Sequence, residues 1–236
     1  MRVHRFVVGH KLESGQMTIR DPDTVHQIRS VLRLSIGSHI VVLDGCGHEA
    51  DAIIQNVDRN SLLLHLGTVR SITAEPRRSV TLYCSILRRE NFEWVVQKAT
   101  EVGVARIVPL MSDRTVKTGL KKDRLLRIAR EAVEQCGRGI VPIITDPVAF
   151  ESAFLDAPLT NIFFDTGQEN KEWPVTLQNE DEVGIWIGPE GGWSDAELEL
   201  AKKNRCTFSS LGSLVLRAET AAVVAAYLAV HGGIDK

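Results

Sequence analysis

The chain has no closely paired cysteines. Cys46, Cys84, Cys136 and Cys206 are scattered through 236 residues without a CxxC, a distribution that argues against a zinc ribbon and a disulfide framework and fits reduced thiols in a cytoplasmic protein. The seven histidines are equally dispersed, so no metal site is expected. No run of about 18 uncharged apolar residues is present, and "MRVHRFVVGH" lacks the apolar core of a secretory signal, so no membrane partner is expected. The longest apolar segment, "AAVVAAYLAV" at 221 to 230, is half a membrane span and is expected to be a buried or subunit-interface helix. A hydrophobic content of 44% with 25% charged residues is that of an ordinary folded protein.

The charge is unevenly placed. Residues 1–139 hold 22 Lys and Arg against 15 Asp and Glu, while residues 140–236 hold 6 against 15. A single basic run such as "KKDRLLRIAR" reads first as a solvated helix face. The clustering of so many arginines in one half points to a polyanion, because the planar guanidinium pairs bidentately with phosphate.

Two patterns follow one another along the chain. The first seventy residues alternate the short segments "RFVV", "SHIVVLDG", "EADAIIQNV" and "SLLLHLGTV" with turns, interrupted by one helix over 23–34, as in a small β-barrel. The polar stretch "RSITAEPRRS" at 70–79 reads as a linker. Beyond it, strands at "VTLYCSIL", "RIVPL", "VPIIT", "NIFFD", "VGIWIG" and "CTFSSL" alternate with amphipathic helices, the first over 91–102 and the second over "KDRLLRIAREAVEQC". That alternation predicts an α/β domain with a covered parallel sheet and ligands at the carboxyl ends of its strands. The expected division is residues 1–72 and 73–236.

Two loops at such ends are poor in side chains. "IGPEGGW" leads into a helix with the capping box Ser194/Glu197, and "LGSLVLRAETAA" presents Arg217 beside a helix start. Neither is a P-loop, since Trp193 rather than Lys follows Gly192, and no GxGxxG is present. Each loop alone reads equally as a tight crossover. Together, beside strands expected to be adjacent, they suit a flat and mostly uncharged group such as adenine, held by backbone hydrogen bonds.

"IGPEGGWSDAE" with "LGSLVLRAETAA" resembles the paired signature of the bacterial 16S ribosomal RNA (uracil-N3) methyltransferase family, of the SPOUT class. The likeness continues through "QKATEVGVARIVPLMSDRT" and "REAVEQCGRGIVP", and through "RFVV", "VLRLSIG" and "VLDGCG" in the first domain. Trp193 stands where the family more often has Phe, Ala218 where Thr or Val is common, and Ser38 where an acidic residue is frequent. The resemblance implies an amino-terminal PUA-like β-barrel for RNA, a SPOUT domain with a carboxyl-terminal trefoil knot, and a homodimer that takes S-adenosylmethionine. The implied substrate is 16S rRNA within the small ribosomal subunit.

Carried onto this chain, the resemblance implies that Gly188, Pro189, Glu190, Gly191 and Gly192, with Leu211, Gly212, Ser213, Leu216 and Arg217, wrap the cofactor, and that Phe164, Asp165 and Thr166 close a third side. Methylating N3 of a neutral uracil builds negative charge on O2 or O4, so a permanent cation suits the site, and Arg217 is the candidate. Its other reading is a salt bridge to Glu219 or Glu190. Glu190 is the candidate base on condition that burial raises its pKa; otherwise it fixes a loop and water takes the proton. Arg5, Arg29, Arg33, Arg88, Arg89 and Arg138 are the expected phosphate contacts. The rival readings are a SPOUT ribose 2'-O-methyltransferase and a ribosome-assembly factor without catalysis.

Overall fold

The computed structural model describes residues 3–115, 119–167, 177 and 180–232. The chain divides into two compact units, Met1–Glu75 with Val133–Val141, and Pro76–Ala132 with Pro142–Lys236.

In the first unit β1 (His4–Val7), β2 (Gly15–Ile19), β3 (His39–Leu43), β4 (His48–Val57), β5 (Leu62–Leu66) and β6 (Arg70–Ser71) form a six-stranded sheet. Its order is β1-β3-β4-β5-β2, with β6 beside β4. The β1–β3 pair is parallel, the others antiparallel. Alternate residues of β4 and β5, Ala50, Ala52, Ile54, Leu62, Leu64 and Leu66, are buried with Phe6, Ile28, Ile40 and Val42, as period-two patterning requires. Strand β2 was not expected from the sequence; it opens on a glycine and has only one buried residue, Ile19. The helix expected over 23–34 is shorter. Helix α1 (Pro22–His26) passes into a π-turn over Gln27–Val31, closed by Leu32 N–H donating to the Gln27 carbonyl at 2.9 Å, and Arg33 follows with φ of 53°.

Residues 133–141 are stitched to this sheet. Val7 N–H donates to Glu134 Oε1 at 2.9 Å, and Gly47 and Val141 donate backbone bonds to Gly139 and Gly45 at 3.1 Å. The stretch 70–79 therefore does not behave as a free linker. Arg70 and Ser71 pair with β4, and Glu75 accepts hydrogen bonds from the Gly139 and Ile140 amides at 2.7 and 3.0 Å. Arg78, 4% exposed, donates to the carbonyls of Leu177, Glu180, Ala229 and Gly232. Burial holds its guanidinium below the ordinary arginine value.

The second unit is built on a parallel sheet of β7 (Ser79–Ser85), β8 (Arg106–Met111), β9 (Ile143–Ile144), β10 (Val148–Ala149), β11 (Thr160–Phe164), β12 (Glu182–Ile187) and β13 (Thr207–Ser209). The order is β10-β8-β7-β12-β11-β13, with β9 beside β8. The connecting helices are α2 (Arg89–Val102), α3 (Lys122–Cys136), α4 (Phe150–Ala153), α5 (Asp195–Lys203) and α6 (Ala218–His231). Helix α6 is the apolar segment singled out above. Ala222, Ala225, Ala226, Ala229 and Val230 are buried, and these small side chains let α6 lie close on α2, β7 and β12. On another face Val224 and Tyr227 are exposed.

Successive strands β7 and β8 run to one side, while β12 takes the other side of β7, so the strand order reverses there. A crevice forms at the carboxyl ends of strands where order reverses, because the loops on either side diverge. The sequence placed the two bare loops on adjacent strands. In the structure β11 lies between β12 and β13, pairing with both, and so carries Phe164–Thr166 into the space between the loops.

Candidate cofactor and active site

A cleft of about 1540 Å³ opens at this reversal. Its walls are the ends of β7 (Ile86, Arg88), β11 (Phe164, Asp165, Thr166), β12 (Gly188, Pro189, Glu190, Gly191, Gly192) and β13 (Leu211, Gly212, Ser213, Leu216, Arg217). Every residue nominated from the sequence for the cofactor lines this one cleft.

The loop after β12 is held by more than its own turn. Ser194 caps α5 through its side chain, and buried Glu197 accepts a bond from the Ser194 amide at 2.8 Å, which completes the capping box. Trp193 Nε1–H donates to the Phe164 carbonyl at 2.9 Å, tying this loop to the end of β11. The indole fills the space a side chain at Gly188 would need: a Cβ there would meet Trp193 Cε2 at 2.9 Å. Gly188 is thus bare for the sake of a protein side chain. Gly212 differs. Its φ is 106°, and a Cβ added to it would meet nothing within 4 Å, so its wall faces open space and its backbone favours glycine.

Behind the cleft, Trp186 stacks on Tyr83 at 4.1 Å and anchors its Nε1–H on Asn161 Oδ1 at 2.9 Å, with Phe150, Phe163 and Trp193 packed around them. This aromatic layer backs the loops with a close-packed wall. Burial pushes the Tyr83 hydroxyl up to about 12. Burial also pushes the Cys84 thiol well up, with the Glu190 and Glu219 carboxylates adding in the same direction.

Arg217 is exposed, caps α6 through its backbone and forms no salt bridge among the described residues, so neither Glu219 nor Glu190 neutralises it. Glu190 is exposed as well, and the burial on which its role as a base depends is lacking. Among the expected phosphate contacts, Arg88 is exposed and lines the cleft, Arg89 is exposed and reaches Glu93 at 3.0 Å, and Arg29 and Arg33 are exposed on the first unit. Arg5 is half-buried and bonded to Glu49 at 2.6 Å. Arg138 departs from the expectation. It is 6% exposed and grips Glu75 through Nε and Nη2 at 3.1 and 3.0 Å, an internal ion pair with no face open to RNA.

The sequence reading missed Asn91 and Arg114, which also line the cleft. Arg114 lay within the quoted block "MSDRT", but its register against the β12 loop depends on strands far apart in sequence. No group of three or more metal-ligating side chains occurs among the described residues, and no described helix is long and apolar enough to cross a membrane.

Residues 74–230 match the family described as RNA methyltransferase domain, and residues 19–67 match RNA methyltransferase PUA domain. The chain is 29% identical over 234 residues to ribosomal RNA small subunit methyltransferase E of Rickettsia conorii, covering 95% of this chain and 94% of that protein. Among solved structures, ribosomal RNA small subunit methyltransferase E of Neisseria gonorrhoeae, bound to S-adenosyl methionine, is similar at TM-score 0.88 and 25% identity over 95% of each chain. A methyltransferase of Legionella pneumophila, in complex with the cofactor SAM, is similar at TM-score 0.87 and 28% identity over 97% of each chain. With two thirds of its length in the first match and the cleft inside it, the chain belongs to the RNA methyltransferase family.

Proposed function

We propose that the protein transfers a methyl group from S-adenosylmethionine to N3 of a uridine in 16S ribosomal RNA. The observation that carries this reading is the meeting of the β11, β12 and β13 loops in one cleft beside Arg217, a guanidinium without an ion-pair partner among the described residues. The relatives named as small-subunit rRNA methyltransferases and the SAM-bound neighbours support it.

The walls fit the cofactor chemically. Gly191 and Gly212 offer backbone to the ligand, while Ile86, Phe164 and Leu216 supply apolar surface. S-adenosylmethionine, when bound, supplies a sulfonium-activated methyl group. The loops' part is alignment, which is worth up to about 7–11 kcal/mol when two reactants are held in line. Arg217 stabilises the negative charge that builds on the uracil oxygens as N3 loses its proton, and that proton passes to water. N3 lies on the pairing edge, so the target base must be unpaired or turned out of its stack. Arg29 and Arg33 on the first unit, and Arg88 and Arg89 on the second, are placed in solvent where phosphates are reachable.

Three further features belong to this reading. The carboxyl-terminal segments form a trefoil knot, supported by β12 inserting between β7 and β11 before β13 is added beyond β11. The protein is a homodimer, supported by the exposed apolar side chains Leu214, Val215, Val224 and Tyr227. It acts in cytoplasm on the small ribosomal subunit.

The test is direct. Small subunits from cells lacking this protein are incubated with it and a labelled methyl donor, and digested RNA is analysed by mass. Label on N3 of one uridine is expected. Label on a ribose hydroxyl, or RNA binding with no label, would replace this reading with one of its two rivals.

A further inference from the structure

Strands β8 and β12 are not neighbours, because β7 lies between them. Yet the turn that follows β8 reaches the glycine loop that follows β12 and grips it at both ends. Arg114 Nη1 donates to the Gly191 carbonyl at 2.7 Å. The aliphatic part of the same side chain runs alongside Gly191, where an added Cβ would touch Arg114 Cβ and Cδ at 3.4 Å. One residue earlier, Asp113 Oδ2 accepts the Ser194 hydroxyl at 2.5 Å, and the Asp113 amide donates to Glu197 Oε1 at 3.0 Å. Glu197 Oε2 meanwhile accepts the Ser194 amide at 2.8 Å, so the buried carboxylate serves both loops at once.

The gripping turn is itself braced. Ser112 N–H and Oγ meet Thr115 Oγ1 at 3.1 and 2.6 Å, and Thr115 N–H donates to the Ser112 carbonyl at 3.0 Å. A short turn braced in this way fixes the backbone from which its two central side chains project. Arg114 lines the cleft that Gly191 lines, so the contact lies at the binding wall and not behind it.

We infer that Arg114 is a positioning residue for cofactor binding, with Asp113 as its second anchor. A side-chain-poor loop has many backbone conformations available, and ordering it on binding costs affinity. Fastenings from the β8 turn, charge-assisted at both Arg114 and Asp113, hold the Gly191 peptide in its binding orientation before any ligand arrives. Arg114 acts through Gly191; it takes no part in the chemistry of methyl transfer. This inference rests on the reading of the cleft as an S-adenosylmethionine site.

The experiment compares the full-length protein with Arg114→Met, which keeps the aliphatic contact and removes the donor, and Arg114→Lys, which restores one donor. Three readouts are taken: the calorimetric Kd for S-adenosylmethionine, amide hydrogen exchange over 188–194 without ligand, and kcat and KM for RNA methylation. Arg114→Met is expected to raise Kd and the KM for S-adenosylmethionine about tenfold, the factor a lost charge-assisted hydrogen bond produces. Exchange at 188–194 should quicken, kcat should stay close to that of the unaltered protein, and Arg114→Lys should recover most of the affinity. Unchanged Kd and unchanged exchange in Arg114→Met would overturn the inference while leaving the site assignment standing. So would a collapse of kcat at unchanged Kd, which would move Arg114 to the reacting groups or to RNA. Failure of the unaltered protein to bind S-adenosylmethionine would remove the site assignment and this inference with it.

Discussion

Trp193 and Phe164 are joined by a 2.9 Å hydrogen bond from the indole Nε1–H to the backbone carbonyl, and the ring so held lies on Gly188. Two walls of the cleft are thereby locked to each other through one buried side chain. Gly188→Ala should displace the ring and destabilise the fold by about 1–3 kcal/mol, the usual cost of overpacking. Trp193→Phe should cost about 1–3 kcal/mol through loss of the buried indole's hydrogen bond and of its volume. Urea unfolding followed by circular dichroism checks both, and a Gly188→Ala protein as stable as the parent would contradict this packing.

Gly212 predicts the opposite balance. A methyl group there meets no neighbour, so Gly212→Ala should lower stability only by the cost of its left-handed backbone, about 1 kcal/mol. A bulkier Gly212→Phe should project into the cleft and abolish S-adenosylmethionine binding in calorimetry while the protein remains folded. Retained affinity in that variant would place the ligand elsewhere.

Arg217→Ala should reduce kcat by about 10²–10³, as loss of one preorganised donor at a developing negative charge does. The Kd for S-adenosylmethionine should change far less, and Arg217→Lys should recover part of the rate by keeping the charge. Weakened affinity with kcat unchanged would assign Arg217 to the cofactor alone.

The thiols divide by burial. Cys46 and Cys136 are exposed, whereas Cys84 and Cys206 are buried, and burial pushes the Cys206 thiol up to about 12. A thiol reagent at pH 8 should therefore label Cys46 and Cys136 rapidly and reach the other pair only on unfolding, as peptide mapping would record. Prompt labelling of Cys84 would contradict its burial in the sheet.

On the surface of α2 and α3, Arg124 holds the Glu93 carboxyl below its usual value through a hydrogen bond, with Arg89 assisting. A carboxyl whose folded pKa is depressed adds stability above its unfolded value, about 4.3, and loses it as pH falls through the folded one. Glu93→Gln should consequently lower the melting temperature at pH 7, and by less as pH falls towards 3. An equal loss at both values would show that the ion pair is not the source.

Much of this was open to sequence reasoning because it is local. Helix α3 is found over the residues its apolar period marked, and α5 starts on the capping box read from Ser194 and Glu197. The glycine loops stood out because their composition is unusual over a few residues. Arg138 misled for the same reason: an arginine near other basic residues looks like a phosphate contact until Glu75, 63 positions away, is seen to hold it. Helix α1 ended early because its last turn opens into a π-turn, which no propensity marks.

By itself the sequence determined the alternation of strands and helices, the side-chain-poor crossovers and the guanidinium beside them, since these follow from period, turn chemistry and residue type. Tertiary structure alone decided that β11 would separate β12 from β13, that Gly188 would make room for Trp193, and that Arg114 would fasten Gly191 across an intervening strand. Strand order and register come from burial shared between distant segments, and that energy exists only once those segments have met.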